Sequence, residues 1–388
     1  MGKIKSTHIR SFVLSALFLL VIYMPFIDNL FHFSTDALPA ENRRLAPKPK
    51  MNITSLDYYP EKYEAFFDDH FNFRNDLILL YSGFRLNLLG ISPFDKVAEG
   101  KNGFLFNAHE YLAEYRSKDL FSKSELKRIA QAFEYRQTWC NERRIKYYVA
   151  VVPSKPTIYE ENTPDFVYRV HGISRYDQLK EYLTENSTFR MIDLKNALLS
   201  HKKDYLIYYK TDQHWNNLGA FFGYEAIMKS IKTDFPALDV LSPDDYKLEI
   251  DSIGGKGLAW LINKPDDYPD TDIILHPLFT PRAQSGEKAN YPIPETFYYK
   301  NEYEVRFYIP GSNQPKAMII RDSFTNALMP YLNETFSETV YIWDNWQYQL
   351  NKPIVEQEKP DILLVIMTEI HFFKLLNNIE EFEDLPVN

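Results

Sequence analysis

A single cysteine, Cys140, stands in 388 residues, so no intramolecular disulfide and no multi-cysteine zinc site can form. Glycine is scarce, at 13 residues, which excludes collagen-like and Gly-rich repeat architectures. Basic residues are in deficit. The 44 Lys and Arg against 53 Asp and Glu give a formal charge of −9, more negative still once Lys3, Lys5 and Arg10 are set aside, and a nucleic-acid-binding face needs the opposite sign. Beyond residue 31 no apolar run is long enough to cross a membrane, and no internal repeat is visible. What remains is the mixture of a folded globular protein, 45% apolar and 25% charged, with aromatics at 16%. That aromatic content predicts a core rich in rings.

The amino terminus is organised differently from the rest. Ser11–Ile27 carries no charge, follows Lys3, Lys5, His8 and Arg10, and precedes Asp28, the length and flank asymmetry of a single membrane crossing with residues 1–10 in the cytoplasm. A cleaved signal peptide needs a small-x-small site just after its apolar core, and Asp28–Phe33 offers none. An uncleaved transmembrane signal-anchor over 11–27 is therefore expected, with everything after residue 28 outside the cytoplasm. Residues 28–58 carry Pro39, Pro47 and Pro49 among charges and read as a tether. Residues 59–95 show helical periodicity with an aromatic stripe through Tyr63, Phe66, Phe67 and Phe71, expected to pack on a main domain over 96–388.

Within 96–388, helix and strand patterns alternate. Asn102–Phe106 reads as a turn entering a strand. Ser122-x-x-Glu125 is a capping box, and Leu126, Ile129, Ala130, Phe133 and Cys140 follow on one helical face, which places Cys140 in the core rather than at a reactive surface. The apolar run Ile145–Val152 predicts a buried strand ended by Pro153. Then come a helix over Tyr176–Thr184, a strand over Met191–Asp193, a helix after His214, and strands over Lys316–Ile320, Thr339–Trp343 and Asp361–Met367. This order predicts an α/β fold, an open and mainly parallel sheet flanked by helices, with its chemistry at the carboxyl ends of the strands.

Two segments there carry catalytic residue types. In Thr211-Asp212-Gln213-His214-Trp215 an extended backbone would point Asp212 and His214 the same way, so that the carboxylate orients the imidazole and frees its other nitrogen as a base; the same pair also serves as a plain structural hydrogen bond. In Ile319-Ile320-Arg321-Asp322-Ser323-Phe324 a buried strand ends in a polar turn bearing a serine. Ser323 or Asp322 would cap the following helix, or Ser323 would be a nucleophile beside backbone N–H groups able to hold an oxyanion. The three residues together favour an Asp212–His214–Ser323 triad. Around them, Lys155 follows the first core strand and would meet substrate or lie in a solvent turn. Trp215 would pack or stack on a sugar, and Trp343, with Tyr341 and Trp346 around Asp344, would line a carbohydrate groove. Glu369 ends the last apolar strand. Gly254–Leu258 is a substrate loop or a plain chain reversal. Asp212, His214 and His70 lack metal-ligand spacing, so no metal is expected.

The order of membrane anchor, Asp212-x-His214-Trp215 and a late Asp322-Ser323-Phe324 resembles the alginate O-acetyltransferase family of AlgJ and AlgX type. That family is SGNH hydrolase-like and DHHW-like, with the serine block placed after the Asp-His block. Asn102–Phe106, Val152–Tyr159 and Lys359–Leu364 support the likeness, which spans roughly residues 60–375. The resemblance implies Ser323 as nucleophile, His214 as base and Asp212 as its orienting partner. It implies a bacterial protein, anchored once in the inner membrane with its catalytic domain on the periplasmic side. Its acceptor would be an exported polysaccharide, its acetyl donor a membrane-bound O-acyltransferase, and no cofactor is implied. With water as acceptor the triad is an esterase, and without catalysis the chain is a glycan-binding scaffold. One departure is Arg321, which stands where SGNH enzymes carry glycine, and which would contact an acidic sugar or pair with Glu369.

Overall fold

The computed structural model describes residues 2–31, 46–51, 57–70, 96–165 and 167–376. The chain divides into two units, residues 1–94 with 260–264, and residues 95–259 with 265–388. The first contains a 30-residue helix, Gly2–Phe31, which takes in the apolar run 11–27, and a second helix, Tyr59–His70. Among the described residues no helix is long and apolar enough to cross a membrane. Most of the expected tether, and the expected helical segment beyond His70, lie outside the described residues.

The second unit is built on a seven-stranded mixed sheet. Its order is Ile192–Asp193, Lys146–Val152, Ile362–Thr368, Lys316–Ile320, Glu338–Ile342, Glu304–Tyr308 and Gln284–Ser285. The first five are parallel neighbours, and each of the last two pairs antiparallel with the strand before it. This antiparallel edge is absent from the sequence reading for a physical reason. Glu304 and Arg306 interrupt the apolar pattern of their strand, and they are accommodated only because Arg306 bonds Glu304 at 2.5 Å and also pairs with Glu358. Separate two-stranded pairs join Val97–Glu99 to Leu105–Asn107 and Tyr246–Ile253 to Asp270–Pro277.

The central strands are buried on both faces, as parallel sheets require. Every residue of Ile362–Thr368 is buried. Alternation sorts their side chains into two cores: Ala150, Val152, Ile319, Leu364 and Ile366 face one way, and Val149, Val151, Ile320, Val365 and Met367 the other. The first core is covered by residues of helix Asn217–Ile231, such as Phe221 and Tyr224, and the second by Ile129, Phe133 and Cys140 of helix Lys123–Glu142. That second helix begins at the predicted capping box: Ser122 Oγ accepts the Glu125 N–H at 3.2 Å, and Glu125 Oε2 accepts the Ser122 N–H at 2.7 Å. Cys140 is fully buried, and burial pushes its thiol up to about 12. It is an inert core residue.

The carboxyl ends of the parallel strands lie on the same side of the sheet. Val152 pairs with Thr368, Val365 with Ile320, and Ile320 with Ile342, so Ser154-Lys155, Arg321-Asp322-Ser323, Trp343-Asp344 and Glu369 all emerge along one edge.

Candidate active site

Asp212 and His214 lie in a tight loop and not in the extended segment their spacing suggests. The loop is closed by the Tyr208–Trp215 antiparallel bridge and by the Tyr209 N–H donating to His214 O at 3.2 Å. Asp212 Oδ1 accepts the backbone N–H of His214 at 3.0 Å, the Asx-turn geometry that short acidic side chains adopt two residues back. That turn, rather than strand alternation, brings the carboxylate to the imidazole. Thr211 is tied to Asp270, with its N–H at 2.8 Å and its hydroxyl at 2.5 Å from Oδ2. The Gly254–Leu258 turn closes over the loop: the Lys256 N–H donates to Thr211 Oγ1 at 2.8 Å and the Gly257 N–H to Asp212 Oδ2 at 3.0 Å. Sequence reading offered this turn as a substrate loop or a chain reversal, and the structure makes it a clamp on the acidic residue.

The serine turn is fixed by its own preceding aspartate. The Lys316–Ile320 strand stops where Arg321 N–H donates to Ile342 O at 2.9 Å. Asp322 is extended and caps the single 3-10 turn Ser323–Ala327, its Oδ1 accepting the Phe324 N–H at 3.0 Å. Its Oδ2 accepts the Tyr348 hydroxyl at 2.8 Å and the Thr368 N–H and hydroxyl at 2.9 and 2.7 Å. Burial opposes the Asp322 charge, but His371, Thr368 and Tyr348 outweigh it and hold the carboxyl below its ordinary range. Tyr348, Thr368 and His371 carry no motif, and only the fold assembles them.

The two segments meet at His214. Its Nδ1 lies 2.6 Å from Asp212 Oδ1, and its Nε2 lies 2.8 Å from Ser323 Oγ. An ionised carboxylate can only accept, so the proton between them sits on Nδ1, and Nε2 accepts from the serine hydroxyl. Burial alone would raise the Asp212 carboxyl. Its hydrogen bonds with His214 and the Lys155 ammonium outweigh burial and hold it well below the usual carboxylate range. Phe324 packs on the imidazole, ring centroids 4.7 Å apart. The arrangement is that of a serine activated by an oriented base.

The other expected site residues lie beneath this surface. Lys155 is buried, and its Nζ donates to the carbonyls of Tyr209, Lys210 and Asp212 at 3.2, 2.8 and 2.6 Å, so it braces the loop from below rather than facing solvent. Burial pushes its ammonium down to about 7, against the pull of Asp212 and Asp270. Trp215 is 1% exposed, with its indole N–H on Phe324 O at 3.0 Å, which joins the loop to the serine turn. Arg321 does not pair with Glu369. It bonds Asn326 Oδ1 at 2.6 Å and Glu302 O at 3.0 Å, and lies 4.7 Å over the Trp343 ring. Glu369 instead accepts the Ser154 N–H and hydroxyl at 3.0 and 2.5 Å and the Thr157 hydroxyl. Trp343 is buried and stacks on Tyr299 at 5.0 Å. His70 belongs to the first unit, where its Nδ1 bonds Phe66 O.

Residues 97–254 match the family model of the SGNH hydrolase-like domain of acetyltransferase AlgX. This stretch is similar to the AlgX-type SGNH hydrolase-like domain. It takes in Asp212 and His214 and stops before Ser323. Among solved structures, PatB1 of Bacillus cereus superposes with a TM-score of 0.51 at 18% identity, over 70% of this chain and 95% of that one. The same protein with a sulfonyl adduct gives 0.51 at 17%, over 71% and 98%. The O-acetyltransferase domain of Pseudomonas putida AlgJ gives 0.45 at 14%, over 74% and 95%. No curated protein matches the chain.

Proposed function

We propose that this protein is an O-acetyltransferase that modifies an exported cell-surface polysaccharide through an acetyl-Ser323 intermediate. The observation that carries the reading is the continuous contact from Asp212 through His214 to Ser323, with both histidine nitrogens engaged. The likeness to the AlgX-type domain over 97–254 supports the class of reaction. Ser323 Oγ attacks the donor's acetyl carbonyl while its proton passes to His214 Nε2. The tetrahedral oxyanion is held by the Ser323 backbone N–H and further donors, each worth about 3 kcal/mol. The bond to the leaving group breaks, His214 returns the proton to that group, and acetyl-Ser323 remains. A sugar hydroxyl then bonds the acetyl carbon, giving its proton to His214 Nε2. The C–Oγ bond breaks, and the proton returns to Ser323 Oγ. With water in place of the sugar, the same steps are ester hydrolysis. The uncharged run 11–27 behind Lys3, Lys5 and Arg10 supports a single-pass anchor in a bacterial inner membrane, with the domain on the periplasmic side. There a membrane-bound O-acyltransferase delivers the acetyl group.

Incubating the full chain with an activated acetyl ester tests this reading. Intact-protein mass spectrometry should show a gain of about 42 Da, one acetyl group, on Ser323 and absent from Ser323→Ala and His214→Ala. No adduct and no Ser323-dependent ester turnover would leave a glycan-binding scaffold, with Asp212–His214 a structural hydrogen bond.

A further inference from the structure

Lys155 sits where a charge is costly, and its hydrogen bonds all go to the catalytic loop. It follows the strand Lys146–Val152, opens the short helix Lys155–Ile158 and is 1% exposed. Its Nζ lies 5.1 and 5.9 Å from the ring centroids of Phe106 and Phe104. Among the described residues it bonds three carbonyls, those of Tyr209, Lys210 and Asp212, and no carboxylate.

The count of donors decides what this contact can do. An ammonium has three protons and no lone pair, so it matches three carbonyls. A neutral amine has two protons and a lone pair, and one of the three carbonyls is left facing that lone pair. The shortest of the bonds, 2.6 Å, goes to the carbonyl of Asp212 itself, whose Oδ1 lies 2.6 Å from His214 Nδ1. The ammonium also favours the ionised form of the Asp212 carboxylate. Loss of the proton therefore loosens the loop and weakens the group that orients the base.

The surroundings make that loss accessible near neutral pH. Burial drives the ammonium down to about 7, while Asp212 and Asp270 pull the other way. Lys210 shares the Phe104 ring, its Nζ 5.7 Å from the centroid. Glu369 accepts the N–H of the preceding Ser154, and Lys202 pairs with Glu161 beyond the end of the short helix. The Tyr208 phenol, bonded to Pro153 O, is kept neutral by burial.

We propose that Lys155 is a positioning residue for acyl transfer: its charged ammonium holds the Asp212–His214 loop in the reactive arrangement, and its deprotonation switches Ser323 acetylation off as pH rises. The inference rests on the reading of Ser323 as the acetylated nucleophile.

The test follows the initial rate of Ser323 acetylation in the full chain by an activated acetyl ester, read by mass spectrometry from about pH 5 to about pH 9. In the wild type the rate should rise as the base loses its proton, then fall by roughly tenfold or more between about pH 7 and about pH 9. Lys155→Arg, which stays charged throughout, should still acetylate and should lack the falling limb. Lys155→Met, uncharged at every pH, should be slower than the wild-type maximum by roughly tenfold or more and should also lack that limb. Melting temperatures show which variants are folded, and the wild-type profile decides alone if neither is. No acetyl-Ser323 at any pH sinks the nucleophile reading and this inference with it. Acetyl-Ser323 formed at a rate that does not fall above about pH 7, a falling limb that persists in a folded variant, or a Lys155→Met as fast as wild type leaves that reading standing and overturns the role of Lys155.

Discussion

The Gly257 N–H donates to Asp212 Oδ2 at 3.0 Å, and a Cβ at residue 257 would lie 2.4 Å from that same oxygen. The backbone must approach the carboxylate this closely for the hydrogen bond to form, so glycine is required by contact distance. Gly257→Ala is expected to push the Asp212 carboxylate off its bond to His214. A displacement on the order of 1 Å at a catalytic group costs roughly 100-fold. Acetyl-Ser323 formation should slow by about that factor while the fold is retained; an unchanged rate would show that the clamp does not position Asp212.

Asp322 bears on stability more than Ser323 does. Removing its carboxylate in Asp322→Ala strands the buried Tyr348 hydroxyl and the Thr368 donors, a loss of about 3 kcal/mol or more. Tyr348→Phe removes the bonds of that hydroxyl to Asp322 and His371 and should cost less, roughly 1–2 kcal/mol. Chemical denaturation gives both values, and equal small losses would mean that the network is not the support it resembles.

Ser323→Ala behaves oppositely. Ser323 is only partly buried, and its hydroxyl bonds His214 alone among the described residues. Stability should stay within ~0.5 kcal/mol of wild type, while the acetyl adduct disappears. A melting temperature several degrees lower would assign the hydroxyl a structural role.

The antiparallel edge confers a pH dependence. Burial opposes the charge on Glu358, but hydrogen bonds from Arg306, Lys316 and Tyr291 prevail and hold its carboxyl down to about 2 from an ordinary 4.5. Between those values the unfolded chain binds more protons than the folded one, so stability rises with pH there. The contribution of Glu358 is complete above about 4.5 and is lost as pH falls through about 2. The stability difference between wild type and Glu358→Gln should therefore shrink across that window, as followed by urea midpoints. A constant difference would contradict the shift.

Much of this was legible in the residues themselves. Helix and strand order, the Ser122 cap and the core position of Cys140 follow from periodicity, because local patterning and burial obey the same alternation. Asp212, His214 and Ser323 were recognisable as a set because each sits where a strand or loop end exposes it, and catalytic residue types at such ends are few. The carboxyl-edge residues Lys155, Arg321, Trp343 and Glu369 were placed on the correct rim but not at the correct depth. All four are buried: Lys155, Arg321 and Glu369 find carbonyl, amide or hydroxyl partners, while Arg321 Nε, Trp343 Nε1 and Glu369 Oε2 are buried with no hydrogen bond among the described residues. Tertiary structure alone decided that Lys155 braces the Asp212 loop, that Gly257 clamps it, and that Tyr348, Thr368 and His371 surround Asp322. Periodicity reports which face of an element is buried. It carries no information about which polar partners, 40 or more residues apart in the chain as Asp322 and Thr368 are, will meet there, because that follows from how strands order themselves in the sheet.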